Sequence, residues 1–524
     1  MSIYDDPTDA AALGMMAAFH ANRNPEKVAV VSHAGKLSYA DLNTQANRLV
    51  RALRARGIKA GDALALVCSN RGEFIVAMQA CSRAGLRLTP INWHLTGDEI
   101  GYIVDNCEAK VLVCDQRFAE PGQRAAALSP NASIRLAIDG GIEGFEDYAT
   151  FIGDESGDDI DDPILGGNML YTSGTTGRPK GVYREPVPGA QPGLGVSIRE
   201  SALFDAATDM ALVTGPAYHA APFGINIMIP IVSGVGVVLM DKWDAEETLA
   251  LIDRHRATHT HMVATMFHRM LALPASVREK YDLSSMRWII HGAAPCPIHV
   301  KRAMIDWFGP VLFEYYAATE GGNFFIDSAT WLNKPGSVGR GSSEQTVRIL
   351  NEAGEDMPTG ESGTVYFEAP REGRFQYFKA PEKTDEAYRG DYFTMGDIGY
   401  FDEDGYLFLS GRSAETIISG GVNIYPQEID DVLMRHPDVH EVCTIGIPDD
   451  EWGESILTVI ELRDGVRGDE HLTDRLIAFA REHLPGFKVP RRIEFAKDLP
   501  RMPTGKIQRH KVRAAYWEAA GRSI

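Results

Sequence analysis

Between residues 28 and 130 short apolar runs alternate with stretches whose apolar residues recur at helical spacing. Val28–Ser32 is a β-branched run. Ser38 through Asp41 then offers a capping box for a helix with Leu42, Ala46, Leu49, Val50 and Leu53 on one face, stopped by Gly57. Ala63–Val67 predicts a buried strand, residues 73–83 a helix, and residues 111–114 another strand. This alternation predicts layered α/β structure with parallel sheet.

Strand and helix signals resume at residues 210–213, 245–255, 259–263 and 288–291. Residues 225–240 form the most apolar segment, but Asn226, Pro230, Ser233 and two glycines interrupt it. It is too short and broken to span a bilayer, and a buried helix running into a buried strand is expected instead. Residues 153–162 predict a solvated acidic connector. Residues 185–195, rich in Pro and Gly, read as a lid edge or a surface excursion. From about Val338 the texture changes to short β runs at 347–350, 363–368 and 406–409, separated by Asp/Gly turns. Past residues 411–414 a new unit begins, with helices predicted over 424–434 and 472–483 and strands over 441–447 and 457–462. The expected fold class is therefore α/β. A large N-terminal domain, residues 1–411, holds layered α/β subdomains plus a β-rich subdomain, and a small α+β C-terminal domain covers residues 412–524.

Residues 171–182 read Y-T-S-G-T-T-G-R-P-K-G-V. An apolar approach enters a run of Thr, Ser and Gly that is followed by cations, the composition of a phosphate loop. Thr172, Ser173, Thr175 and Thr176 supply hydroxyls, Gly174, Gly177 and Gly181 let the backbone turn its N–H groups inward, and Lys180 meets remaining charge. A Walker A loop starting at Gly174 would need Gly at Pro179 and Ser or Thr at Gly181, so that class is excluded. A ligand-free Ser/Thr/Gly surface loop is the alternative.

Of 524 residues, 44% are hydrophobic and 24% charged, as in ordinary soluble globular proteins, and the length suggests several domains. Net charge is −20, which excludes a general nucleic-acid surface. The same field repels phosphate ligands, so their binding would rest on local cations such as Lys180, Arg412 and Lys506. Six scattered cysteines with no C-x-x-C pair fit free thiols in a reducing, cytoplasmic setting. The N-terminus shows no secretory signal, and no transmembrane segment is predicted.

S-G-T-T-G-R-P-K-G resembles the signature loop of the adenylate-forming enzymes: acyl-CoA synthetases, luciferases and peptide-synthetase adenylation domains. Further blocks follow in family order. Gly292-Ala293-Ala294 resembles the turn that borders adenine and the acyl pocket. Tyr315-Tyr316-Ala317-Ala318-Thr319-Glu320 resembles the family's Y-G-x-T-E block, with Ala317 at a common Gly position. That resemblance implies an aromatic contact to adenine, Thr319 on phosphate and Glu320 on Mg²⁺, where one carboxylate suffices. Met395-Gly396-Asp397 resembles T-G-D, which implies Asp397 on the ribose diol, and Gly411-Arg412 resembles the G-R that ends the large domain. The family's hinge carries Lys or Asp where this chain has Ala414. Gly420 and Gly421 resemble the hairpin lining the pantetheine tunnel, and Pro503-Thr504-Gly505-Lys506 the catalytic C-terminal loop. Tyr218-His219 resembles an aromatic-His element beside the acyl tunnel, which implies His219 as its gate, with residues 261–266 lining the same channel.

The resemblance implies an ATP-dependent carboxylate–CoA ligase that releases AMP and pyrophosphate, requires Mg²⁺, and rotates its small domain between half-reactions. Lys506, Glu320, Thr175 and His219 are the implied catalytic residues. The partners implied are a small carboxylic acid, ATP and CoA, and a homodimer is an ordinary state for such an enzyme. G-P-A-Y-H-A-A-P and N-K-P-G-S-V-G-R are similar to bacterial fatty-acyl and steroid or bile-acid CoA ligases, so a hydrophobic acid is expected and aryl acids stay open. Loading of a carrier protein, luciferase-type oxygenation and catalytically silent nucleotide binding are the competing readings. No carrier module is expected after Lys506.

Overall fold

The computed structural model describes residues 6–172, 179–187, 193–341, 347–412, 415–419, 422–449, 452–502 and 505–519. Two large sheets carry the first 412 residues. The core of the eight-stranded sheet is parallel, running through Gly167–Thr172, Arg87–Pro90, Ala63–Val67, Ala109–Asp115 and Ile134–Ile138. Lys180–Tyr183 folds back antiparallel on Gly167–Thr172, and Gln376–Tyr377 pairs with its outer edge. The expected capping box closes the helix Tyr39–Ala55: Ser38 accepts from the Asp41 N–H while the Asp41 carboxylate accepts from the Ser38 N–H.

The fourteen-stranded sheet has a parallel core of Val28–Ser32, Gly236–Leu239, Met210–Val213, His259–Met262, Trp288–His291 and Leu312–Ala318. Fully buried strands of this kind read as continuous apolar runs, which is why the sequence marks them well. The β-rich stretch after Val338 is not a detached sheet. Ser337–Gly341 pairs with both Gly321–Asp327 and Leu407–Arg412, so the antiparallel strands extend the parallel sheet without a break. Residues 225–240 resolve into a π-helix Pro222–Met228, a helix Ile229–Val232 and the strand Gly236–Leu239, as a broken apolar segment should.

Two expectations gain detail. Residues 153–162 are mostly exposed, as a solvated connector should be, yet they are also fastened: the Asp159 carboxylate accepts from Asn43 and Asn47, and Arg51 donates to the Asp158 and Asp159 carbonyls. The helix expected from residue 424 starts later, as Pro426–Leu433, because Val422–Ile424 is committed to an antiparallel pair with Ile417–Ser419.

Strands from Ile417 onward build a separate five-stranded sheet around Gly453–Leu462 and Val439–Asp449. Arg509, nearly buried, fastens this unit. Its Nε lies 3.0 Å from Glu415 Oε2, its Nη2 donates to Asp430 at 2.9 Å, and its Nη1 donates to the Thr444 carbonyl.

Behind the large sheet, Lys301 of the helix Ile298–Phe308 is fully buried with its Nζ 2.6 Å from Glu314 Oε2 and 4.5 Å from the Trp331 ring centre. Burial pushes the Glu314 carboxyl above its ordinary value despite Lys301. Breaking one side of a buried pair costs about 3–5 kcal/mol. Lys301→Met is expected to lower denaturant stability by that order, most at pH 8. Toward pH 5 the loss shrinks, since a carboxyl with a raised folded pKa takes up a proton and sheds its unpaired charge. Lys301→Met combined with Glu314→Leu should recover much of the loss. Equal losses at both pH values would contradict this account.

Candidate active site

The candidate residues come from the ends of parallel strands, from the antiparallel strands that extend the large sheet, and from the small unit. Where Trp288–His291 ends, the chain turns through Gly292, Ala293 and Ala294. A Cβ on Gly292 would lie 2.5 Å from Tyr315 Cε1 and 2.6 Å from the Tyr315 carbonyl oxygen, so only glycine lets this turn close on its neighbour. Ala293 has φ 65°, a left-handed conformation costly for a residue with a Cβ. In the next strand Tyr315 and His261 Nε2 share a hydrogen bond of 3.0 Å.

Tyr316 points the other way. Its hydroxyl donates to Asp397 Oδ2 at 2.7 Å, and Arg412 Nε lies 3.2 Å from Asp397 Oδ1. Asp397 and Arg412 are direct partners across two antiparallel strands, so the pairing register itself sets their distance. Residues far apart in sequence thus form one polar chain, Tyr316, Asp397 and Arg412.

Lys506 of the small unit lies within the field of this chain. Its loop is tied by Met502 N–H to the Lys506 carbonyl and Gly505 N–H to the Met502 carbonyl, both at 2.8 Å. Gly505, at φ 85°, abuts Thr265 of the large unit so closely that a Cβ would lie 2.7 Å from Thr265 Oγ1. Burial, and then Arg412, push the Lys506 ammonium down to about 8, while Glu415 and Asp397 pull the other way.

The candidate phosphate loop is bracketed by the hairpin in which Thr172 pairs with Lys180. Ser173, Gly174, Thr175, Thr176 and Gly177 lie outside the described residues, as do Gly420 and Gly421 of the small unit. Burial, and then Lys383, lower the Lys180 ammonium, and Glu320 opposes them. Glu320 sits at the tip between Leu312–Ala318 and Gly321–Asp327.

Two residues at this tip carry no sequence signal. Tyr377 donates to Glu320 Oε1 at 2.9 Å and presents its ring to Lys180 Nζ, 4.8 Å from the centre. Arg184 donates to the Thr319 carbonyl at 3.0 Å and to the Glu320 carbonyl. Both join the edge of one sheet to a turn of the other, a relation that only the tertiary fold creates.

His219 lies apart from the polar chain, in an aromatic group. Its ring centre is 4.6 Å from that of Tyr218, which meets Trp93 edge-on at 6.2 Å. Burial, and then His94, push His219 down to about 4, so it is neutral at pH 7. His219 Nε2, Tyr218 Oη and Trp93 Nε1 are buried without a hydrogen-bond partner among the described residues. Asn70 sets this segment, donating to the Gly215 carbonyl at 3.0 Å and accepting from Ala217 N–H at 2.9 Å. Of residues 261–266, Met262 and Met266 pack into the apolar core beneath the sheet rather than beside His219.

A family model for AMP-binding enzymes matches residues 18–373, and one for the AMP-binding enzyme C-terminal domain matches residues 428–506. The chain belongs to the AMP-binding enzymes. This bears out the resemblance to adenylate-forming enzymes. Feruloyl-CoA synthase from an Amycolatopsis species is 32% identical over 96% of this chain and 99% of that protein. A long-chain-fatty-acid–CoA ligase of Mycobacterium tuberculosis is 31% identical over 92% of this chain and 93% of its own. Among solved structures, ATP-bound MatB from Rhodopseudomonas palustris superposes with a TM-score of 0.83 at 28% identity, over 97% of this chain and 99% of that one. Among the described residues of this AMP-binding enzyme, no helix is long and apolar enough to cross a membrane.

The depressed Lys506 ammonium is open to direct measurement. Competitive labelling of lysines in the nucleotide-free protein, read by peptide mass, should show Lys506 half-reactive near pH 8. Asp397→Asn removes an influence that raises it, so its midpoint should fall further. A midpoint near pH 10 in both proteins would refute the placement.

Proposed function

We propose that this AMP-binding enzyme is an ATP-dependent carboxylate–CoA ligase that forms an acyl-adenylate and pyrophosphate, and then an acyl-CoA and AMP. The observation that supports the reading is Lys506 of one structural unit lying within the field of Asp397 and Arg412 of another. In the first half-reaction a carboxylate attacks the α-phosphorus of ATP. Two anions 4 Å apart repel by about 4 kcal/mol at an effective dielectric near 20. Cations aimed at the forming charge offset this repulsion, and Lys506 serves the attacking carboxylate and the α-phosphate, with Lys180 on the outer phosphates.

Tyr315, Tyr316 and the Gly292-Ala293-Ala294 turn border the adenine. Asp397 accepts from the ribose hydroxyls while Tyr316 and Arg412 hold its carboxylate in place. Ser173, Gly174, Thr175, Thr176 and Gly177, with Thr172, cradle phosphate, and Gly420 and Gly421 flank the thiol-bearing arm of CoA.

Glu320 suits Mg²⁺. Tyr377 occupies one carboxylate oxygen, and no described residue donates to the other. Among the described residues no cluster of three potential ligands exists. A single protein carboxylate with ligands completed by phosphate and water is the ordinary Mg²⁺ arrangement. The ion would neutralise phosphate charge when bound.

For the acid, the aromatic surroundings of His219 and the fatty-acid ligase among its relatives support a hydrophobic substrate. The stacked Trp93 and Phe118 rings, 4.8 Å apart, together with the feruloyl-CoA synthase relative, favour an aryl acid as the second reading. Pyrophosphate release across acids graded in length and ring content decides between them.

Lys506→Ala is expected to slow carboxylate-dependent pyrophosphate release by about 10²–10³. Thioester formation from synthetic acyl-AMP and CoA should stay within a few-fold of wild type. Equal loss of both half-reactions would remove Lys506 from its role, and absence of pyrophosphate release with every acid would remove the ligase reading.

A further inference from the structure

A site that holds both Lys180 and Glu320 has a built-in hazard before its ligands arrive. An ammonium and a carboxylate that face one another collapse into an ion pair, and each is then lost to its ligand. Among the described residues no ion pair joins these two, although each lies within the other's field. Tyr377 stands between them. Its ring face meets the Lys180 ammonium at 4.8 Å and its hydroxyl meets Glu320 Oε1 at 2.9 Å.

We propose that Tyr377 is a positioning residue, a spacer that keeps the phosphate-facing Lys180 and the metal-facing Glu320 apart and aimed at separate partners. The inference rests on the ligase reading. A phenol suits the task because its two faces of interaction differ: the π-cloud attracts a cation and the O–H donates to an anion. One group therefore satisfies both charges without joining them.

The surroundings fix the spacer. Tyr377 is the Cα partner of Val182, two residues beyond Lys180 on the adjacent strand, so the sheet register sets the ring over the lysine. Arg184, at the far end of that strand, grips the carbonyls of Thr319 and Glu320. Arg184 thus holds the Glu320 main chain and Tyr377 holds Oε1, while no described residue donates to Oε2.

The test is calorimetric titration of the full-length protein with ATP, in Mg²⁺ and in chelator, with thermal unfolding of each variant as a check on folding. Wild type should gain affinity for ATP when Mg²⁺ is present. Tyr377→Phe keeps the ring over Lys180 and removes the hydrogen bond. It should lose roughly 10- to 100-fold of the Mg²⁺-dependent gain, the usual cost of losing a group that orients a metal ligand. Its binding of metal-free ATP should be unchanged. Tyr377→Leu removes the barrier as well, so Lys180 pairs with Glu320 and metal-free binding weakens too. Adding Glu320→Gln to Tyr377→Leu should restore metal-free binding by releasing Lys180, which a merely structural role for Tyr377 would not produce. A Tyr377→Phe protein with the full Mg²⁺ gain, or a Tyr377→Leu protein whose metal-free binding Glu320→Gln fails to restore, overturns the inference alone. A wild type that binds ATP in neither condition overturns the ligase reading and this inference with it.

Discussion

Electrostatic repulsion between like-charged reactants is the constraint around which this molecule is built. A carboxylate must reach a triphosphate inside a chain with a net charge of −20. Bulk charge works against the encounter, so the cations we propose for it are individually placed. Lys180 is set by a hairpin, Arg412 by its register opposite Asp397, and Lys506 by a loop wedged against Thr265. Each is partly withdrawn from water. A desolvated charge near others of its kind holds its proton less firmly, as the depressed Lys506 ammonium illustrates.

Placement of this kind demands that several sheets agree at one point. The strand Lys180–Tyr183 belongs to the eight-stranded sheet, Tyr316 and Glu320 to the fourteen-stranded sheet and its turn, and Lys506 to the small unit. Polar contacts between sheets, such as Tyr377 to Glu320, replace the continuous hydrogen bonding that secures residues within one sheet. A buried pair, Lys301 and Glu314, ties the helix to the strand just before Tyr315, so the turn region is braced from behind. Such pairs add little net stability, and their value here is geometric.

The fold was largely legible because its buried strands advertise themselves. Trp288–His291 and Ala245–His255 have the bounds expected from apolar runs and helical spacing. The small unit was less legible, since Ile424, expected to open a helix, is claimed by a hairpin partner instead. At the site, Glu320, Asp397 and Arg412 stood out only through ordered blocks along the chain, because isolated acids and arginines usually mark solvated surface. Tyr377 and Arg184 left no trace at all. Their importance arises from a neighbour nearly 60 residues away for one and 135 for the other, a relation that no local spacing encodes. The attachments of residues 153–162 were hidden for a related reason, because the composition marks a solvated linker but the partners sit on a distant helix.

The Arg509 clasp has a mechanical consequence. It grips Glu415 at the entry to the small unit and Asp430 on its first helix, while Lys506 lies only three residues upstream of the clasp itself. Entry, helix and lysine are therefore welded into one stiff arm. A displacement of Glu415 would therefore be handed through Arg509 to both the helix and the neighbourhood of Lys506.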